Sequence, residues 1–243
     1  MGSGFVAHAD TLPFAPTLTL GSTVLSNDDV HANGDGSFTV SGQQQGGTFN
    51  GGAVWDLQWN LTISQDPFIA GSLTLTNLTN TTRNFNLMFG LPVTPAFSPS
   101  LYGGSLSASL LDLNGDLSAT LAPIGGPSIY RGTIDGNSVL SLFAVDLNCF
   151  GSSAGCTASG ADSNGLPGPT LRGPGVVGSI GTLLNFSLSP GDRVSFTTNF
   201  TVEPPATVPL PAALPLLLLG LGTLAARRRL STDGSSARPV TQR

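Results

Sequence analysis

Trp55-Asp56-Leu57-Gln58-Trp59-Asn60-Leu61-Thr62-Ile63 alternates without a break. Tryptophan, leucine and isoleucine hold the odd positions; Asp56, Gln58, Asn60 and Thr62 hold the even ones. Successive side chains of a strand point to opposite faces, so this stretch reads as a strand with one apolar and one polar side. A single greasy face is the habit of antiparallel sheets, which cover one side and leave the other in water. The two tryptophans read as core anchors because their whole face is apolar. A sugar-stacking platform is the alternative reading.

The same period recurs on both sides of that stretch. Ile69, Leu73 and Leu75 alternate with Thr74 and Thr76, and Phe85, Leu87, Phe89 and Leu91 alternate with Asn84, Asn86 and Met88. Leu106, Ala108 and Leu110 stand between Ser105, Ser107 and Ser109. Val194, Phe196, Phe200 and Val202 stand between Ser195, Thr197, Asn199 and Thr201. Val139 to Val145 is apolar on both sides and is expected as a central strand. Turn signals separate the runs: Asn33-Gly34-Asp35-Gly36, Asn77 to Thr82, Asn114-Gly115-Asp116, Asp135-Gly136-Asn137 and Ser189-Pro190-Gly191-Asp192. Gly151 to Gly175 is expected as a long, weakly structured loop. Roughly ten short strands of this kind predict an all-β antiparallel sandwich, jelly-roll-like or Ig-like, with an open barrel giving the same signature. No amphipathic helix of useful length precedes the terminal tail.

Composition agrees. There are 32 Gly and 18 Pro, and charged residues are 9% of the chain. Lysine is missing and Glu203 is the sole glutamate, whereas Thr, Val, Phe and turn residues abound. Before Thr207 stand 13 acids and 4 arginines, a balance of −9; from Thr207 onward 5 arginines and Asp233 give +4, and the sum is the formal −5. An acidic domain with four scattered arginines has no basic stripe, which excludes nucleic acid as a partner.

The end of the chain is different in kind. Val208 to Ala226 is 19 residues with no charged side chain, followed at once by Arg227-Arg228-Arg229. At 1.5 Å per residue that is roughly 28 Å of helix, enough for a bilayer core. Basic residues beside a short span favour the cytoplasmic side, so the C-terminus is expected inside and the long N-terminal part outside.

The wording VPLPAALPLLLLGLGTLAARRR, residues 208–229, resembles the VPLPA variant of the PEP-CTERM sorting signal: a short Pro motif, an apolar helix and an Arg cluster, in that order. The resemblance implies a protein exported by a Gram-negative bacterium that makes extracellular polysaccharide. It also implies an exosortase, a membrane protease of the inner membrane, as the partner that recognises and cuts the tail. Val208, Pro209, Leu210, Pro211 and Ala212 would form the sorting motif, and Arg227, Arg228 and Arg229 would set membrane orientation. Asp66 to Asn77 with the strand that follows, and Leu188 to Asp192, also resemble stretches common in the outer domains of that family.

Ala7-His8-Ala9 before Asp10 has the small-x-small form of a signal-peptidase site, with Ala7 and Ala9 as its small residues. The expected organisation is a truncated signal-peptide remnant over 1–9 and an exported β-sandwich domain over 10–202. A linker over 203–207, the sorting signal with its transmembrane helix over 208–229 and a disordered cytoplasmic tail over 230–243 follow.

Catalytic signals are thin. His31 sits in an expected polar turn with no nucleophile motif nearby, and no G-x-S-x-G, HExxH or P-loop pattern occurs. Asp is plentiful enough for a two-carboxylate glycosidase, but nothing marks a pair. Asp112-Leu113-Asn114-Gly115-Asp116 has EF-hand-like oxygens at positions 1, 3 and 5. Leu117 and Pro123 then stand where the loop needs Gly and Glu, so it reads as a hairpin turn. Asn27-Asp28-Asp29 with Asp35 is a looser acidic cluster, read as a solvated turn, with calcium between loops as the alternative. No metal or other cofactor is expected. Cys149 and Cys156 bracket a Gly/Ser loop and are expected to form a disulfide in an oxidising compartment. Five N-x-S/T sequons, at Asn60, Asn77, Asn80, Asn185 and Asn199, read as accidents of an Asn- and Thr-rich chain. The function expected is that of a non-enzymatic surface or extracellular-matrix protein, anchored in the membrane until it is sorted. The alternative is a polysaccharide-binding module on a single-span anchor.

Overall fold

Alternation along the chain becomes sixteen strands among the described residues of a computed structural model, which describes residues 12–48, 51–151 and 155–206. They are β1 Thr17–Leu20, β2 Thr23–Val24, β3 Asp29–Ala32, β4 Ser37–Gly46, β5 Trp55–Ser64, β6 Phe68–Asn77, β7 Arg83–Pro92 and β8 Ser100–Leu111. Then come β9 Ser118–Pro123, β10 Tyr130–Ile134, β11 Asn137–Leu142, β12 Leu147–Phe150, β13 Thr157–Asn164, β14 Leu171–Gly173, β15 Ser179–Leu188 and β16 Arg193–Glu203. The described residues through Pro205 form one unit. No described helix is long and apolar enough to cross a membrane.

Two antiparallel sheets face each other. The first runs β11-β10-β15-β7-β1-β2, with β9 on the far half of β15 and β12 on β9. The second runs β13-β8-β16-β6-β5-β4-β3, with β14 on the start of β8. Every odd residue from Trp55 to Ile63 is buried between them, as are Leu106, Ala108 and Leu110 and the apolar set of β16. Phe186 of the first sheet meets Phe196 of the second edge-on at 5.1 Å between ring centroids, and Phe85 lies 5.6 Å from Phe186. The Phe186–Phe196 pair joins the two layers, and Phe85 packs beside it from the same sheet as Phe186.

The tryptophans are core anchors. Trp55 and Trp59 are 5% and 3% exposed, and each sits directly across from a glycine of β4, Gly46 and Gly42 respectively. A Cβ at Gly42 would lie 2.3 Å from the Trp59 ring, and one at Gly46 would lie 2.4 Å from that of Trp55. The indoles fill the space those glycines leave, so no sugar ring can stack on them.

Four expectations need correction. Val139 to Val145 is no central strand: β11 is an edge and ends at Leu142. Phe143 turns at φ +63° and its N–H donates to Asp162 Oδ2 at 2.8 Å. That turn drives the Phe143 ring into the core against Gly160 and leaves Val145 exposed. Gly151 to Gly175 carries β13 and β14, because β8 is long enough to pair with both. Asp112 to Asp116 is no hairpin; β8 and β9 belong to different sheets, and the segment crosses between them. His31 lies in edge strand β3, opposite Thr39, rather than in a turn.

Candidate functional site

With one face of the second sheet committed to the core, the even residues of β5 and their neighbours must point outward. Register then lines them up. Gln43, Gln58, Thr74, Ser195, Ser109 and Ser159 are direct partners across six strands. One pleat further, Ser41, Asn60, Ser72, Thr197 and Ser107 form a second row, which ends at Ala161 on β13. At about 4.8 Å between strands, each row is about 24 Å long. Neither row holds an ionisable or a large apolar side chain. Thr74 and Ser195 share a hydrogen bond at 3.1 Å, and Gln43 reaches Asp56 of the next row at 3.1 Å. The face is not flat. A depression of about 380 Å³ opens over β4, β5 and β6, and two more of about 540 and 450 Å³ open over β8, β13 and β16.

A second polar assembly is buried. Asn77, Asp112, Ser189 and Asp192 tie together the β6–β7 turn, the β8–β9 crossover and the β15–β16 turn. Asn77 Nδ2 donates to the carbonyls of Thr81, Leu188 and Ser189 at 2.9, 3.1 and 2.9 Å. Its Oδ1 accepts from the Thr79 hydroxyl at 2.8 Å. Asp112 accepts from the N–H of Gly115 at 2.8 Å and of Leu117 at 3.1 Å. Asp192 accepts from the Ser189 hydroxyl and from the Leu113 N–H. Burial holds Asp192 above the ordinary carboxylate value; the Ser189 and Leu113 bonds offset part of this, and the charges of Asp112 and Asp116 add to it. Paired carboxylates with one raised are a pattern seen in acid catalysts. Here Asp112 is 1% and Asp192 0% exposed, so neither can meet a substrate. The pair braces the β8–β9 crossover and ties it to the β15–β16 turn instead.

The other singled-out residues scatter. His31 is exposed, and among the described residues no nucleophile–base pair forms around it. Asp28 accepts from the Gln43 N–H at 2.7 Å, while Asp35 serves its own turn through Ser37 at 2.9 Å. The Ser37 hydroxyl and N–H hold Asp35 below the usual range. Among the described residues, no three acidic, His or Cys side chains gather as metal ligands. Cys149 and Cys156 are bonded to each other. Asn77 is fully buried and Asn185 nearly so, so in the folded protein neither sequon is accessible. Ala7, Ala9, Val208 to Ala212 and Arg227 to Arg229 lie outside the described residues.

Asp135 is a staple that sequence reading saw only as a turn residue. At φ +49° it aims both oxygens at the start of β15, accepting from the N–H groups of Val177, Gly178 and Ser179 at 2.8 Å each. Burial raises its pKa, but the three backbone bonds outweigh that and hold it below the ordinary value. A carboxylate lowered in the fold contributes stability that is present above its unfolded pKa and lost as pH falls through the folded one. Asp135→Asn is therefore expected to destabilise by about 1 kcal/mol at pH 7, the low end for bonds to a half-exposed charge. The gap from wild type should close as pH falls into the acid range. Urea midpoints of both proteins at pH 7 and pH 3 check this; a gap that stays constant would contradict it.

Fold and face together define an all-β protein of two antiparallel sheets, one of which presents a neutral hydroxyl-and-amide surface. No family model matches the chain, and no curated protein matches it.

Proposed function

We propose that this is a non-enzymatic protein exported across the inner membrane of a Gram-negative bacterium and displayed at the cell surface or in the extracellular matrix. The observation that carries the reading is the sequence of the tail, three parts in succession: Val208-Pro209-Leu210-Pro211-Ala212, the uncharged run to Ala226, and Arg227-Arg228-Arg229. In finer detail the domain is a jelly-roll-like or Ig-like sandwich followed by a single transmembrane helix. The helix holds the precursor in the membrane until an exosortase cuts near the Pro motif. The Cys149–Cys156 disulfide supports the export part of the reading, since such bonds persist in oxidising compartments.

Replacing Arg227, Arg228 and Arg229 together by Ser should impair insertion or sorting, because the basic cluster fixes which end stays in the cytoplasm. Protease accessibility of the tail and fractionation of cells from the native host read this out. Unchanged topology and unchanged sorting would count against the role given to the arginines.

A second reading, a displayed polysaccharide-binding module, is favoured by the uncharged outward rows of the second sheet.

A further inference from the structure

Most side chains of the two outward rows have no side-chain hydrogen bond to another described residue. Gln58, Asn60, Ser72, Thr197 and Ser107 make no side-chain hydrogen bond to another described residue. Each hydroxyl both donates and accepts, and each amide does the same from two atoms. The rows therefore offer a grid of both kinds of group, repeating at about 4.8 Å across the strands and about 6.8 Å along them.

Charge and apolarity narrow what such a grid can hold. The chain before Thr207 carries −9, so an acidic polymer approaching it is repelled. Protein partners are anchored by buried aromatic or Arg side chains at the centre of an interface, and neither row presents one. A neutral polymer dense in hydroxyl groups meets no repulsion and finds donors and acceptors along its whole length. The three depressions lie along the same rows, which gives sugar rings a trough to settle in.

We propose that the outer face of the second sheet is the docking surface for a neutral polysaccharide lying across the strands, along the row from Gln43 to Ser159 and the row from Ser41 to Ser107. This rests on the reading of the domain as a displayed binding module, and not on the sorting tail. Each hydrogen bond is exchanged for one with water and gains little alone, so binding is built from many weak contacts and grows with polymer length.

The test is native affinity electrophoresis of the full chain in a polyoxyethylene detergent, which has no sugar headgroup. Gels contain dextran, galactomannan or a soluble β-glucan as neutral probes, in short and long fractions, and alginate as the acidic probe. A triple variant, Asn60→Ala with Ser107→Ala and Thr197→Val, removes grid atoms at exposed sites; Asn84→Ala on the other sheet is the control. Equal urea midpoints confirm that all variants fold. The expected result is retardation by at least one neutral polymer, stronger for longer fractions, weakened at least tenfold in the triple variant and unchanged in the control. The proposal is overturned by retardation with alginate alone, by none with any neutral polymer, or by equal retardation of wild type and triple variant. Export and sorting play no part in the gel, so its failure leaves the sorting reading standing.

Discussion

Trp59→Ala is expected to destabilise the domain by about 3–5 kcal/mol, a large share of the roughly 5–15 kcal/mol that holds a typical domain folded. The indole is 3% exposed and packs over Gly42 within the apolar core, so truncation opens a cavity there. The pairing makes a sharper prediction. Gly42→Ala alone places a methyl group 2.3 Å from a ring carbon of Trp59, an overpacking expected to cost about 1–3 kcal/mol. Once the ring is gone, the same Gly42→Ala change no longer meets the three ring atoms nearest to it and should be neutral, or stabilising by up to about 1 kcal/mol, because glycine is poor in a strand interior. A double-mutant cycle in urea reads the coupling directly. Additive effects would mean that the ring does not depend on the glycine.

Asn77→Ala should be nearly as damaging, at about 3–5 kcal/mol, for a different reason. Asn77 is fully buried and serves two adjacent carbonyls at the end of β15 as well as one of its own turn. Alanine removes this donor from the buried Leu188 and Ser189 carbonyls, at about 1–3 kcal/mol each, while the Thr81 carbonyl keeps the Thr79 hydroxyl. The backbone bond from the residue 77 N–H to Asp192 O at 2.9 Å is kept, but the side-chain tie between the β6–β7 turn and the β15–β16 turn is lost. Asn84→Ala, on an exposed strand face, is the comparison and should stay within about 0.5 kcal/mol of wild type. Thermal or urea unfolding of the two variants side by side distinguishes the cases; equal small effects would show that the buried knot contributes little.

What could be read from sequence follows from range. Trp55 to Ile63 declares its two faces locally, and so do the apolar sets of β7, β8 and β16, so the sandwich of antiparallel sheets was legible. Phe143 was not, because its burial depends on a left-handed turn and on Asp162, 19 residues away. The strands at 157–164 and 171–173 were hidden by small and polar residues; they form because β8 offers an edge. The grid was half legible. Alternation showed that Asn60, Ser107 and Thr197 face outward. That Ser107 lies beside Thr197, and Thr197 beside Ser72, is set by long-range register. The knot of Asn77, Asp112, Ser189 and Asp192 left its trace as three turn segments rich in Asn, Asp and Ser, but only the fold brings those turns to one place.

The central claim, that this is a displayed protein released from a membrane-held precursor, is met most directly by intact mass and fractionation of the native protein from its own host. The account predicts a released form that ends near Val208 to Ala212 and lacks Arg227 to Arg229. A full-length chain that stays in the inner membrane would contradict it and would make the tail a permanent anchor.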